Sequence, residues 1–118
     1  MNIHLCLVSR HPVCNITPTL DPRLKPGMVL LVHEPLLQNQ AENLAEILRP
    51  AGVKAEIVEL SSNDYTIQLK EINSLLVKYS ENSLILNATG GNKTTTLASL
   101  EAFRSAALPI FYVHALLD

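Results

Sequence analysis

The chain has 118 residues, 47% of them hydrophobic and 17% charged, enough for one domain with a real core and far from a disordered composition. Its formal net charge of −2 gives no global attraction to a long duplex or membrane surface. It has no run of about 20 apolar residues and no charged segment ahead of an apolar one at the start, so neither a membrane span nor a signal peptide is expected and the expected location is the cytoplasm.

Asn2–Ser9 alternates Ile3, Leu5 and Leu7 with other residues and reads as a first strand. The connection 10–27 is long and carries Pro12, Pro18, Pro22 and Pro26. Such a loop is functional or hides a short element. A helix starting at Asn15 is expected, with Asn15 as its cap and Pro18 in its first turn, where a missing N–H costs nothing. Met28–His33 is a continuous apolar run, as in a parallel strand covered on both faces. Leu36–Leu48 repeats Leu37, Ala41, Leu44 and Leu48 at helical spacing, and Pro50 ends it. Val53–Leu60 reads as a less buried edge strand. Ser61–Asp64 is a capping cluster for a helix over 64–79, with Tyr65, Leu69, Ile72, Leu76 and Tyr79 on its apolar face. Ser83–Asn87 is a short apolar strand. Lys93–Ala107 reads as a helix with Leu97, Leu100, Phe103 and Ala107 on one face, and Pro109–Val113 as a last strand.

The stretch Asn87-Ala88-Thr89-Gly90-Gly91-Asn92-Lys93-Thr94 is the chemically unusual part. Two glycines join an apolar strand to a helix. Glycine reaches positive φ and admits close approach to the main chain. The helix that follows starts with unpartnered N–H groups at the positive end of its dipole. Lys93 adds a full charge there, and Asn87, Thr89, Asn92 and Thr94 add short donors and acceptors. This is the layout of a phosphate or nucleotide site. A plain tight turn with Asn92 or Thr94 as a helix cap is the other reading. The segment is no Walker A loop, because Asn92 rather than Gly precedes the Lys, and it contains no G-x-G-x-x-G.

Strands alternating with helices make a doubly wound α/β, Rossmann-like fold, a mostly parallel sheet with helices on both faces. Right-handed crossovers give the order 3-2-1-4-5. The first and fourth strands are then neighbours at the switch point, where ligands bind beyond the carboxyl ends. Ser9–Asn15 and Asn87–Thr94 are therefore expected to face each other across one crevice. The loop after the first strand holds Arg10, His11, Arg23 and Lys25 with Asp21 as its only acid. A small basic pocket on a mildly acidic body suits a compact anion. Cys6 and Cys14 read as free thiols, and His4, His11, His33 and His114 are scattered. No metal and no cofactor is expected.

These residues carry a resemblance. Ile3-His4-Leu5-Cys6-Leu7-Val8-Ser9, Asn15-Ile16-Thr17-Pro18, the run from Lys25 to Val32, Asn87-Ala88-Thr89-Gly90-Gly91-Asn92-Lys93 and Pro109–Val113 are similar to the CRISPR-associated Rossmann fold (CARF) domains. These are sensors of cyclic oligoadenylate in type III CRISPR defence, and the likeness is to the branch in which the sensor precedes a nuclease domain. It covers essentially the whole chain, 1–118, as a single domain, and its Asn-x-Thr-Gly-Gly-x-Lys segment is the most specific part. It implies a homodimer holding one twofold-symmetric ring, most often cyclic tetra-adenylate, across its dyad. Ser9, Arg10 and His11 would carry over as first-loop contacts, and Thr89, Gly90, Gly91, Asn92 and Lys93 as contacts to phosphate and ribose. Asn92 stands where Thr is common. Relatives continue beyond the fifth strand, so a truncated sensor piece and a stand-alone protein are both open.

The resemblance also implies an enzymatic alternative, since some members cleave their own ring without metal. There the ribose 2′-hydroxyl attacks the adjacent phosphate, with Lys93 stabilising the charge and Ser9 orienting the reacting groups; His11 is the sole candidate base. A third reading is a small mononucleotide-binding α/β enzyme that works as a monomer.

Overall fold

The structure is a computed structural model, and it describes residues 1–11 and 13–113. The elements run β1 (Asn2–Leu7), α1 (Val13–Leu20), β2 (Met28–His33), a 3-10 turn at Pro35–Leu37, α2 (Gln38–Leu48), β3 (Lys54–Glu59), α3 (Tyr65–Lys78), β4 (Ser83–Asn87), α4 (Lys93–Ser105) and β5 (Ile110–Phe111). Every strand pair is parallel, and the sheet order is β3-β2-β1-β4-β5. This is the expected doubly wound α/β fold. β5 is shorter than the run 109–113 suggested, and His114 lies outside the described residues. No helix among the described residues is long and apolar enough to cross a membrane.

The period of two along each strand divides the core. Ile3, Leu5, Leu7, Leu30, Val32, Leu84 and Leu86 face one way and pack beneath α3 and α4 against Ile72, Leu76, Ala98, Ala102 and Phe103. Cys6, Val8, Val29 and Leu31 face the other way, against Leu37, Ala41, Leu44, Ala45 and Leu48 of the α2 side. β2 is buried at all six positions, whereas β3, on the sheet edge, alternates.

In α3 Ile72 and Leu76 are buried as expected, but Tyr65 is exposed and Gln68 is buried in the first turn. Two further helices differ from expectation. In α4 the buried residues are Thr95, Ala98, Ser99, Ala102 and Phe103, while Leu97 is 52% exposed and Ala107 lies beyond the helix. The buried face is built largely of small side chains, α4 packs closely along α3, and Leu97 is left to the flank. α1 begins at Val13, not at Asn15, and Pro18 lies inside it rather than in its first turn. Proline has no N–H, so the bond from residue 18 back to the Cys14 carbonyl is missing.

Candidate functional site

β1 and β4 end side by side, with Cys6 opposite Asn87 in the register. The chain after each strand rises over this edge, and the two loops enclose a crevice of about 570 Å³. Ser9, His11, Val13 and Cys14 form one wall; Thr89, Gly90 and Gly91 form the other, and Tyr112 and Val113 close the end. The two loops thus meet as the strand order requires.

The glycine turn is fitted to the end of β1. Gly90 has φ 88° and Gly91 φ 74°, conformations that side-chain-bearing residues rarely adopt. A Cβ on Gly90 would stand 2.6 Å from the Leu7 carbonyl oxygen, and one on Gly91 3.0 Å from the Leu7 Cβ. The close approach that needs glycine is therefore to β1, and the opposite side of the same backbone faces the crevice. Thr96 Oγ1 donates to the Gly90 carbonyl at 3.2 Å and ties the turn to the first turn of α4. The Val113 N–H donates to the Thr89 hydroxyl.

Asn92 is the N-cap of α4. Its Oδ1 accepts from the Thr95 N–H at 2.7 Å, and its Nδ2 donates to the Glu34 carboxylate. One cap satisfies one of the donors that a helix start leaves open, and the dipole end still favours an anion. On the other wall Ser9 Oγ accepts from the His11 N–H at 3.2 Å and donates to the His11 carbonyl at 3.1 Å, which folds the first loop back on itself.

The Card1 CARF domain family matches residues 3–116. The chain belongs to that family. Among solved structures, this CARF domain is similar to protein VC1899 of Vibrio cholerae at 23% identity and a TM-score of 0.88, over 96% of this chain and 30% of that one. It is similar to Can2 of Sulfobacillus thermosulfidooxidans, solved in complex with cyclic tetra-adenylate, at 24% identity and a TM-score of 0.85, over 97% of this chain and 32% of that one. Csm6 of Enterococcus italicus, bound to cyclic hexa-2′-fluoro-hexa-dAMP, matches at 14% identity and a TM-score of 0.84, over 100% of this chain and 35% of that one. At these identities the likeness is one of fold, and the chain spans about a third of each of the three. No curated protein matches it.

In this CARF domain the expected site residues fall into three groups. Ser9, His11, Thr89, Gly90 and Gly91 line the crevice. Arg10, Asn92, Lys93 and Thr94 stand at its shoulder: Arg10 and Asn92 border a smaller recess of about 170 Å³ beside Glu34, and the exposed Lys93 and half-buried Thr94 open α4. Asn15 and Asn87 are fully buried beneath the crevice. Asn15 Nδ2 donates to the Leu7 carbonyl at 3.2 Å, and Asn87 holds Cys14 and Thr89.

The expected basic pocket is dispersed. Arg23 pairs with Asp21 at 3.0 Å, and Lys25 Nζ donates to the Ala51 carbonyl at 3.0 Å. Gly27 bonds to the Asn2 carbonyl, so this segment lies at the beginning of the strands, across the sheet from the crevice. Arg10, His11 and Lys93 are the basic residues left near the site. Glu34 and Cys14 were not read from the sequence as site residues. The signal available for Glu34 was its place just past the carboxyl end of β2, a neighbour of β1.

Proposed function

We propose that this domain binds a cyclic oligoadenylate, cyclic tetra-adenylate first, as a sensor in type III CRISPR defence, and that two copies share one ring. The observation that carries the reading is the crevice at the β1–β4 switch point, where Ser9, His11, Val13 and Cys14 face Thr89, Gly90 and Gly91 in a chain of the Card1 CARF domain family. Three features support it. The glycine turn and the start of α4 offer backbone donors and a dipole end to phosphate. Arg10 and Lys93 add charge at the rim without a broad basic surface, which suits a small ring better than a duplex. Can2, of the same fold, was solved with cyclic tetra-adenylate.

A twofold ring is matched by a twofold protein. Each copy supplies one crevice, and a dyad doubles every donor on the shared ligand. Calorimetry with cyclic tetra-adenylate tests this. One ring per two chains is expected, together with dimer mass in the complex. One ligand per chain, or no heat at micromolar protein, overturns the reading; AMP binding to a monomer would favour a mononucleotide site.

A further inference from the structure

We propose that Asn87 is a positioning residue: its buried side chain clamps the first turn of α1 to the glycine turn and so sets the width of the crevice. The proposal rests on the reading of that crevice as a ring-binding site and names what holds its two walls at a fixed distance.

Four observations converge. Asn87 lies at the end of β4 on the α1 side of the sheet and is fully buried. Its Nδ2 donates to the Cys14 carbonyl at 3.0 Å, a contact across 73 residues of sequence. Its Oδ1 accepts from the Thr89 N–H at 3.0 Å, one residue before Gly90. The Cys14 carbonyl is the acceptor that Pro18, four residues later in α1, cannot serve. The helix thus leaves an acceptor open, and the neighbour that fills it also shapes the other wall. An amide carries its donor and its acceptor on two separate atoms, so one side chain can hold a carbonyl on one wall and an N–H on the other. Asp in its place would keep the Thr89 bond but set a carboxylate against the Cys14 carbonyl.

A merely structural reading says that Asn87 satisfies a buried carbonyl and nothing more. Pro18 separates the two. Pro18→Ala restores an N–H to α1, and the helix can then satisfy the Cys14 carbonyl by itself. It cannot restore a tie between α1 and β4. Cys14 itself supplies a ligand-free probe, because it is half-buried at the crevice and burial pushes the thiol of the other cysteine, Cys6, up to about 12.

The experiment compares wild type, Asn87→Ala, Pro18→Ala and the double variant by thermal melting, by thiol labelling of the folded protein and by calorimetry with cyclic tetra-adenylate. Asn87→Ala should lower Tm through the loss of two hydrogen bonds, speed Cys14 labelling about tenfold and weaken ring binding about tenfold through the freed wall. In the double variant Tm should return part of the way, because the Cys14 carbonyl regains a donor while the Thr89 N–H does not regain its acceptor, and fast labelling and weak binding should persist. Labelling and affinity that recover together with Tm would overturn the clamp, as would wild-type labelling in Asn87→Ala. If wild type binds no ring, the functional reading falls, and the labelling of the double variant still decides the clamp.

Discussion

Gly90 rests on the carbonyl of Leu7. The glycine turn of the crevice and the last residue of β1 are in contact along a path that leaves 2.6 Å for any Cβ. Gly90→Ala must therefore accept both a left-handed backbone and a collision with main chain, which has no rotamer through which to yield. A loss of about 2–3 kcal/mol is expected, near 10 °C in Tm for a domain of this size. Gly91→Ala meets the side chain of Leu7 at 3.0–3.2 Å, which can shift, so it should cost less. Equal melting temperatures for the two variants would show that the β1 contact is not what demands glycine at position 90.

Lys93→Ala should separate binding from folding. Lys93 is exposed at the first turn of α4, and the single ion pair among the described residues is Arg23 with Asp21. A cation at a helix N-terminus is slightly unfavourable to the dipole, so Tm without ligand should stay or rise a little. Loss of a charge-assisted contact to phosphate should weaken ring binding by about ten- to a hundredfold. An unchanged ligand-induced rise in Tm would remove Lys93 from the site.

His4 gives a pH dependence with a definite sign. It is buried at 2% exposure in β1, edge-on to Phe111 with ring centroids 5.4 Å apart. Burial holds its pKa below the ordinary 6.5. Above pH 6.5 folded and unfolded chains both carry it neutral. Below that value the unfolded chain takes up a proton that the folded one refuses, so stability falls as pH falls, at no more than about 1.4 kcal/mol per unit from this group. His4→Leu should flatten the decline of Tm below pH 6.5 and leave the melt at pH 8 nearly unchanged. The same slope in the variant would place the acid sensitivity elsewhere.

Alkylation counted by mass spectrometry should find one reactive thiol in the folded protein and two in denaturant. Cys6 is fully buried with its thiol pushed up to about 12, and Cys14 borders the crevice. Ligand should slow the labelling of Cys14. Two thiols reacting natively at similar rates would mean that the sheet beneath α1 opens readily.

The sheet was legible because its strands are short apolar runs separated by helical repeats, and handedness leaves few ways to wind them. Gly90-Gly91 stood out for the same reason it matters: two glycines at a strand-to-helix junction signal unusual backbone. What stayed hidden was three-dimensional. Asn15 looks like a helix cap in sequence, and only the position of Leu7 reveals that its amide serves the end of β1. Arg23 and Lys25 read as companions of Arg10 because they share a loop, yet that loop returns to the other end of the sheet. In α4 the leucines drew the apolar face toward Leu97, whereas close packing prefers the alanine and hydroxyl side.

That preference has a mechanical consequence. α4 packs along α3 with Thr95, Ala98, Ser99 and Ala102 buried and Phe103 fully buried at its far part. The span from Thr95 to Ala102 is about 10 Å of stiff rod, and the head of that rod carries the glycine turn through the Thr96–Gly90 bond. A larger side chain in place of the buried Ala102 overpacks the core there and pushes on the rod. The push arrives at the crevice as a shift of its wall, so the width of the crevice can be set at positions that do not line it.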